Sequence, residues 1–185
     1  MRTICLILLS AFLTAGFGQQ LVSNGGFEDG LDGWTQQNSG SFFITCDTSF
    51  QTDPDYEVRV YKSLAGYARV RQTVELPSTL VRFSVSAKLR AAKGTNAGYY
   101  AYAAVVLYYL NAADSVLGKT MIVQRVGSFN PVSDSFQHII EVVNVDWQDH
   151  VFVLGDELAS IPGVHNDSVA KVMISLESAG NGSSG

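Results

Sequence analysis

Val81-Arg82-Phe83-Ser84-Val85-Ser86-Ala87-Lys88-Leu89-Arg90 alternates apolar and polar residues without a break. A period of two puts Val81, Phe83, Val85, Ala87 and Leu89 on one face and the polar partners on the other, as in a strand with one buried and one wet side. The same rhythm continues outward in both directions. Tyr56 to Lys62, Ala68 to Leu76, Tyr99 to Leu110, Met121 to Val126, Phe136 to Val145 and Val169 to Glu177 are further strand candidates, rich in Val, Ile, Tyr and Phe. Turn formers separate them: Asp53-Pro54-Asp55, Leu76-Pro77-Ser78, Lys93-Gly94-Thr95-Asn96 and Asn130-Pro131. Only Gly155 to Ile161 suggests helix, and Pro162 stops it after about one turn. The sequence therefore predicts an all-β fold, an antiparallel β-sandwich.

Composition narrows what such a sandwich can do. The 185 residues are 46% apolar and only 16% charged, which excludes a disordered tail and a coiled coil, and the length suits one domain with a sizeable core. With 12 Lys and Arg against 17 Asp and Glu, the net charge of −5 offers no positive field for phosphates, so nucleic acid is not an expected partner.

The chain opens with Arg2, an apolar run from Ile4 to Leu13, and the small, turn-prone Thr14 to Gly18. That layout predicts a secretory signal peptide over 1–18, and the run is far short of the roughly 20 residues a membrane span needs. A secreted or cell-surface product without membrane insertion is the expectation. Cleavage removes Cys5 and leaves Cys46 as the mature chain's one cysteine, with no internal disulfide. In Phe42-Phe43-Ile44-Thr45-Cys46 the thiol reads as a small hydrophobe on a strand. The sandwich is expected over 19–177, with 178–185, small and polar, as a flexible tail or truncated loop.

The aromatics are concentrated in two strands. In Tyr99 to Tyr109 the smoother set, Tyr99, Ala101, Ala103, Val105, Leu107 and Tyr109, is expected to face the core, which turns Tyr100 and Tyr102 outward. In the strand from Tyr67 to Val74, inward Ala68, Val70 and Val74 place Tyr67, Arg69 and Arg71 outward. Tyr offers a flat apolar face to a pyranose and a hydroxyl to its polar rim, and Arg donates to hydroxyls or to a uronic carboxylate. Three tyrosines and two arginines on the outer faces of two strands make a candidate ligand site. The alternative is that the tyrosines merely cover the sheet.

One motif follows the leader directly: Leu21-Val22-Ser23-Asn24-Gly25-Gly26-Phe27-Glu28, then Gly33-Trp34. With it, Tyr56 to Val60, Arg71 to Leu76 and Val81 to Lys88 resemble the opening, second-core, Q-x-V-x-L and Y-x-F-S-x-x-A-K strands of carbohydrate-binding modules of the family 4, 9, 16 and 22 type. The resemblance implies a jelly-roll, galactose-binding-like sandwich that binds polysaccharide or glycan, typically beside an attached enzyme or surface domain. It places a ligand-stacking aromatic at Tyr67. It also implies a structural Ca²⁺ held by Glu28 and the backbone of Gly26, with Asp53 and Asp55 in the region of the neighbouring ligands. Such modules close with a strand carrying paired aspartates; none follows Glu177, so the last strand is expected to be missing, leaving a fragment or an open slot.

Trp34, after the glycine turn, is expected to anchor the core. Catalytic motifs are absent: His138, His150 and His165 are scattered, and there is no H-E-x-x-H, paired cysteine, G-x-S-x-G or P-loop. The sequence thus reads as a non-enzyme that binds glycan, or else as a surface adhesion or structural sandwich with no sugar ligand.

Overall fold

The computed structural model describes residues 14–15, 19–48, 55–92 and 98–182. The expected signal segment lies outside them except for Thr14 and Ala15, and so does Asp53. The strands are β1 (Thr14–Ala15), β2 (Gln19–Gln20), β3 (Thr35–Asn38), β4 (Phe42–Asp47), β5 (Glu57–Lys62), β6 (Gly66–Glu75), β7 (Arg82–Ala87), β8 (Tyr100–Leu110), β9 (Val116–Gly127), β10 (Gln137–Glu141), β11 (Gln148–Val153) and β12 (Lys171–Gly180), with one short helix, α1 (Leu154–Leu158). No helix among the described residues is long and apolar enough to cross a membrane.

The fold is an all-β sandwich. One layer is a six-stranded sheet in the order β10-β9-β8-β12-β6-β3. Facing it are the hairpin β4-β5 and a second sheet in the order β11-β7-β1-β2. The alternation in β7 does what its period requires: Val81, Phe83, Val85, Ala87 and Leu89 are all buried. They share one core with Val58 and Val60 of β5, Val70 of β6, Val105 and Leu107 of β8, and Ile174 and Leu176 of β12.

Five features depart from expectation. β10 pairs with β9 in parallel, Gln137 beside Lys119 and Glu141 beside Val123, so the sandwich is mixed and not wholly antiparallel. β9 ends at Gly127, so residues 128–136 carry the chain back roughly 25 Å along the strand before β10 begins. The segment turns once at its end, where the Asp134 N–H donates to the Gln137 carbonyl at 2.9 Å. It lies on the outer face and sets Phe129 over Tyr100 and Tyr102.

The candidate strand Phe136 to Val145 accordingly pairs only over Gln137–Glu141. β12 runs on past Glu177, with Ala179 opposite both Tyr67 and Tyr102, so residues 178–180 belong to the sheet and are not a flexible tail. Because β12 is hydrogen-bonded on both flanks, it is the sheet's central strand and leaves no open slot in that layer. Four strands were not legible: the two-residue β1 and β2, the first inside the expected signal segment, and the longer β3 and β11. β3 is a polar, exposed edge, and β11 mixes charged and apolar residues.

Candidate functional site

The Asn24 loop delivers the chain to the sheet edge. Asn24 adopts φ +46°, and its amide donates to the carbonyls of Gly30 and Asp32, both at 3.1 Å. Trp34 donates its indole N–H to the Asn24 carbonyl at 3.2 Å and packs on Phe27, ring centroids 5.1 Å apart, as a core anchor. Buried Gln72 clips this loop to β6: it accepts from Ser23 N at 2.7 Å and donates to the carbonyls of Ser23 and Gly33 at 2.9 and 3.1 Å. β6 is thereby held so that Tyr67, Arg69 and Arg71 face outward.

The outer face of the large sheet holds all five residues expected at the ligand site. Tyr67, Arg69, Tyr100 and Tyr102 line one open cleft of about 390 Å³, closed at its end by Gly180 and Asn181. Arg69 lies over the Tyr67 ring, its guanidinium carbon 4.4 Å from the centroid, and donates to Gln37 Oε1 at 3.0 Å. Asn181 fixes the rim, accepting from Tyr100 N at 2.7 Å and donating its backbone N–H to the Tyr100 carbonyl at 3.2 Å. The phenols lie on this outer face and not between the layers. Tyr102 is nevertheless no bare platform, because Phe129 stacks on it with centroids 4.6 Å apart.

Arg71 is spent inside the sheet. It donates to Ser175 Oγ at 3.2 Å, to Gln37 at 3.1 Å and to Glu177 at 3.5 Å. Glu177 is the organising group that sequence reasoning missed. Its side chain is only 5% exposed, and a carboxylate so buried is tolerable only if it is hydrogen-bonded and paired. It accepts from Ser175 Oγ at 2.7 Å and from the phenols of Tyr108 and Tyr102 at 3.1 and 3.4 Å. Burial first, and then the Glu177 charge, push the Tyr108 phenol up to about 12, and the same two causes raise Tyr102 further. The available signal was positional: Ser175 and Glu177 alternate with apolar residues on a strand, so the carboxylate had to share a sheet face with the arginines.

Of the residues expected to hold calcium, Gly26, Glu28 and Asp55 lie among the described residues and Asp53 does not. Ca²⁺ takes six to eight oxygens. Among the described residues no group of three or more His, Cys, Asp or Glu is placed to hold a metal. Glu28 folds its carboxylate against Gly26, where an added Cβ would displace that flexible side chain. The Gly30 and Asp32 carbonyls, which would be hard donors, are engaged by the Asn24 amide.

A second buried polar chain lies at the other end of β9. Glu157 of α1 accepts from Thr120 Oγ1 at 2.6 Å and meets His138 Nδ1 at 2.5 Å, and Thr120 in turn contacts the Tyr109 phenol at 2.8 Å. It ties the edge strand β10 and the helix to the core.

No protein-family model matches the chain, and no curated protein does. Among solved structures it is similar to the enzymatically active domain of tailspike protein 4 from bacteriophage CBA120, at 12% identity and a TM-score of 0.49. The match covers 86% of this chain and only 19% of that one. The expectation that the chain is not an enzyme is withdrawn: the comparison returns an enzymatically active domain and lends that expectation no support. At that TM-score the likeness transfers neither activity nor substrate.

Proposed function

We propose that this protein is a secreted β-sandwich that binds polysaccharide or glycan in the outer-face cleft. The observation that carries the reading is the convergence of Tyr67, Tyr100 and Tyr102 on one concave surface, with Arg69 and Asn181 at its edge. A sugar ring laid against the tyrosines loses apolar C–H surface to water-free contact, while the guanidinium and amide donate to its hydroxyls. Pre-organisation is built in: Asn181 bonds to the Tyr100 backbone, and Arg69 is held by Gln37 and the Tyr67 ring, so little order is lost on binding. The resemblance of the Asn24 to Trp34 motif to carbohydrate-binding modules supports the same reading, and the leader-like 1–18 supports export; its cleavage takes β1 out of the smaller sheet and leaves β11-β7 there. The rival, a surface adhesion sandwich contacting protein, draws on exposed Phe42 and Phe43 of β4.

Affinity electrophoresis through xylan, β-glucan, mannan and alginate separates the two. Retardation by at least one polymer is expected, and Tyr67→Ala is expected to migrate as if no polymer were present. A protein retarded by none of them, or a Tyr67→Ala variant retarded like wild type, refutes the site.

A further inference from the structure

We infer that the groove selects polyanionic glycans, chains bearing repeated carboxylate or sulfate groups, through Arg69 and Lys119; the inference rests on the glycan-binding reading and deepens it. The cleft described above continues into a second one of about 480 Å³, because Tyr100 and Asn181 line both. The second runs beside the return segment at Phe129 and reaches Lys119 on β9. Each half is lined by one cation, Arg69 in the first and Lys119 in the second, and no described Asp or Glu lines either. In a chain with 17 acidic residues against 12 basic ones, that is the reverse of the overall balance.

Glu177 does not cancel this field. It is buried beneath the face and contacts Arg71 at 3.5 Å, while its nearest approach to the Arg69 guanidinium is 4.0 Å. One carboxylate shared by two guanidinium groups leaves a net positive charge; Arg71 is tied to Ser175 and Gln37 within the sheet, and Arg69 is the arginine that lines the cleft. Cross-strand register places Arg69 level with Val123, so Lys119 lies four residues along β9 and three strands across, about 20 Å away. No single small anion spans that distance. A polymer with charges repeated along its length does, and each contact becomes a charge-assisted hydrogen bond at a partly desolvated site.

The test uses the full chain, with affinity electrophoresis and titration calorimetry against polygalacturonate and alginate, a sulfated galactan, and unsubstituted xylan and β-glucan. Binding to the carboxylated or the sulfated polymers is expected to exceed binding to the neutral ones and to weaken as salt screens the charges. Whichever anionic class binds identifies the group recognised. Arg69→Gln and Lys119→Gln are each expected to lose about tenfold in affinity for the anionic polymer and to flatten its salt dependence, with the melting temperature of Lys119→Gln unchanged. Equal, salt-insensitive binding of neutral and anionic chains, or variants that bind like wild type, overturns the inference and leaves the glycan reading standing. Failure to bind any polymer ends both.

Discussion

Glu177 shows how one side chain organises a face. It is unexposed, yet four donors surround it, so its charge is offset locally while Arg71 is fixed beside it. Glu177→Ala strands that arginine in a buried site and is expected to cost about 3 kcal/mol, measurable by denaturant unfolding. Glu177→Gln, which keeps acceptor and shape, should cost visibly less. Burial, and after it the Glu177 charge, set an alkaline limit at Tyr108. The Tyr108 phenol is neutral when protonated, and folding raises it from its usual value near 10 to about 12. Its contribution to stability is therefore complete below pH 10 and is lost as the pH rises toward 12. Phenolate absorbance is expected to show Tyr108 titrating about two units later than in Tyr108→Phe-corrected unfolded protein. An ordinary titration near 10 in the folded state would contradict the assignment.

Among the elements, the return segment 128–136 decides most about the site, because it converts an exposed sheet face into a groove with walls. It starts at Gly127, whose φ of +84° favours glycine and whose missing side chain would collide with the Tyr99 carbonyl. It is then pinned by Ser128, which donates to the Gly98 carbonyl at 2.9 Å, and by Arg125, which donates to the Phe129 carbonyl at 2.9 Å. Phe129 closes a small apolar cluster with Tyr102, Val106, Met121 and Val123 on this outer face. Phe129→Ala is expected to cost about 1–2 kcal/mol, since the ring is half-buried and stacked on two tyrosines, and to widen the groove without unfolding the sandwich. A thermal melt measures the first effect, and a changed affinity for the retarding polymer the second.

At the scale of the whole molecule, the smaller layer reports on opening of the sandwich. Cys46 sits on β4 against the main core, and burial pushes its thiol up to about 11 from an ordinary value near 9. The thiolate is the reactive form, so the folded protein is expected to resist alkylation at neutral and mildly alkaline pH. Labelling should then follow the population of opened molecules and rise with denaturant along the unfolding curve. Prompt labelling of the native protein would mean that the β4-β5 hairpin opens independently of the six-stranded sheet.

Much of this molecule was legible from residues alone. Alternation in Val81 to Arg90, Ala68 to Leu76 and Tyr99 to Leu110 identified strands and told inner faces from outer ones, because a period of two is a local property of the backbone. That is why Tyr67, Arg69, Arg71, Tyr100 and Tyr102 were found together. What periodicity cannot express is which strands become neighbours. The parallel pairing of β10, the central position of β12 and the return over the outer face depend on long-range contacts, and with them came Glu177, Phe129 and Lys119. Sequence by itself determined the faces; only the tertiary structure decided which arginine lines the cleft and which is tied into the sheet, because that depends on a carboxylate on β12, six strands on in chain order, brought alongside β6 by the sheet.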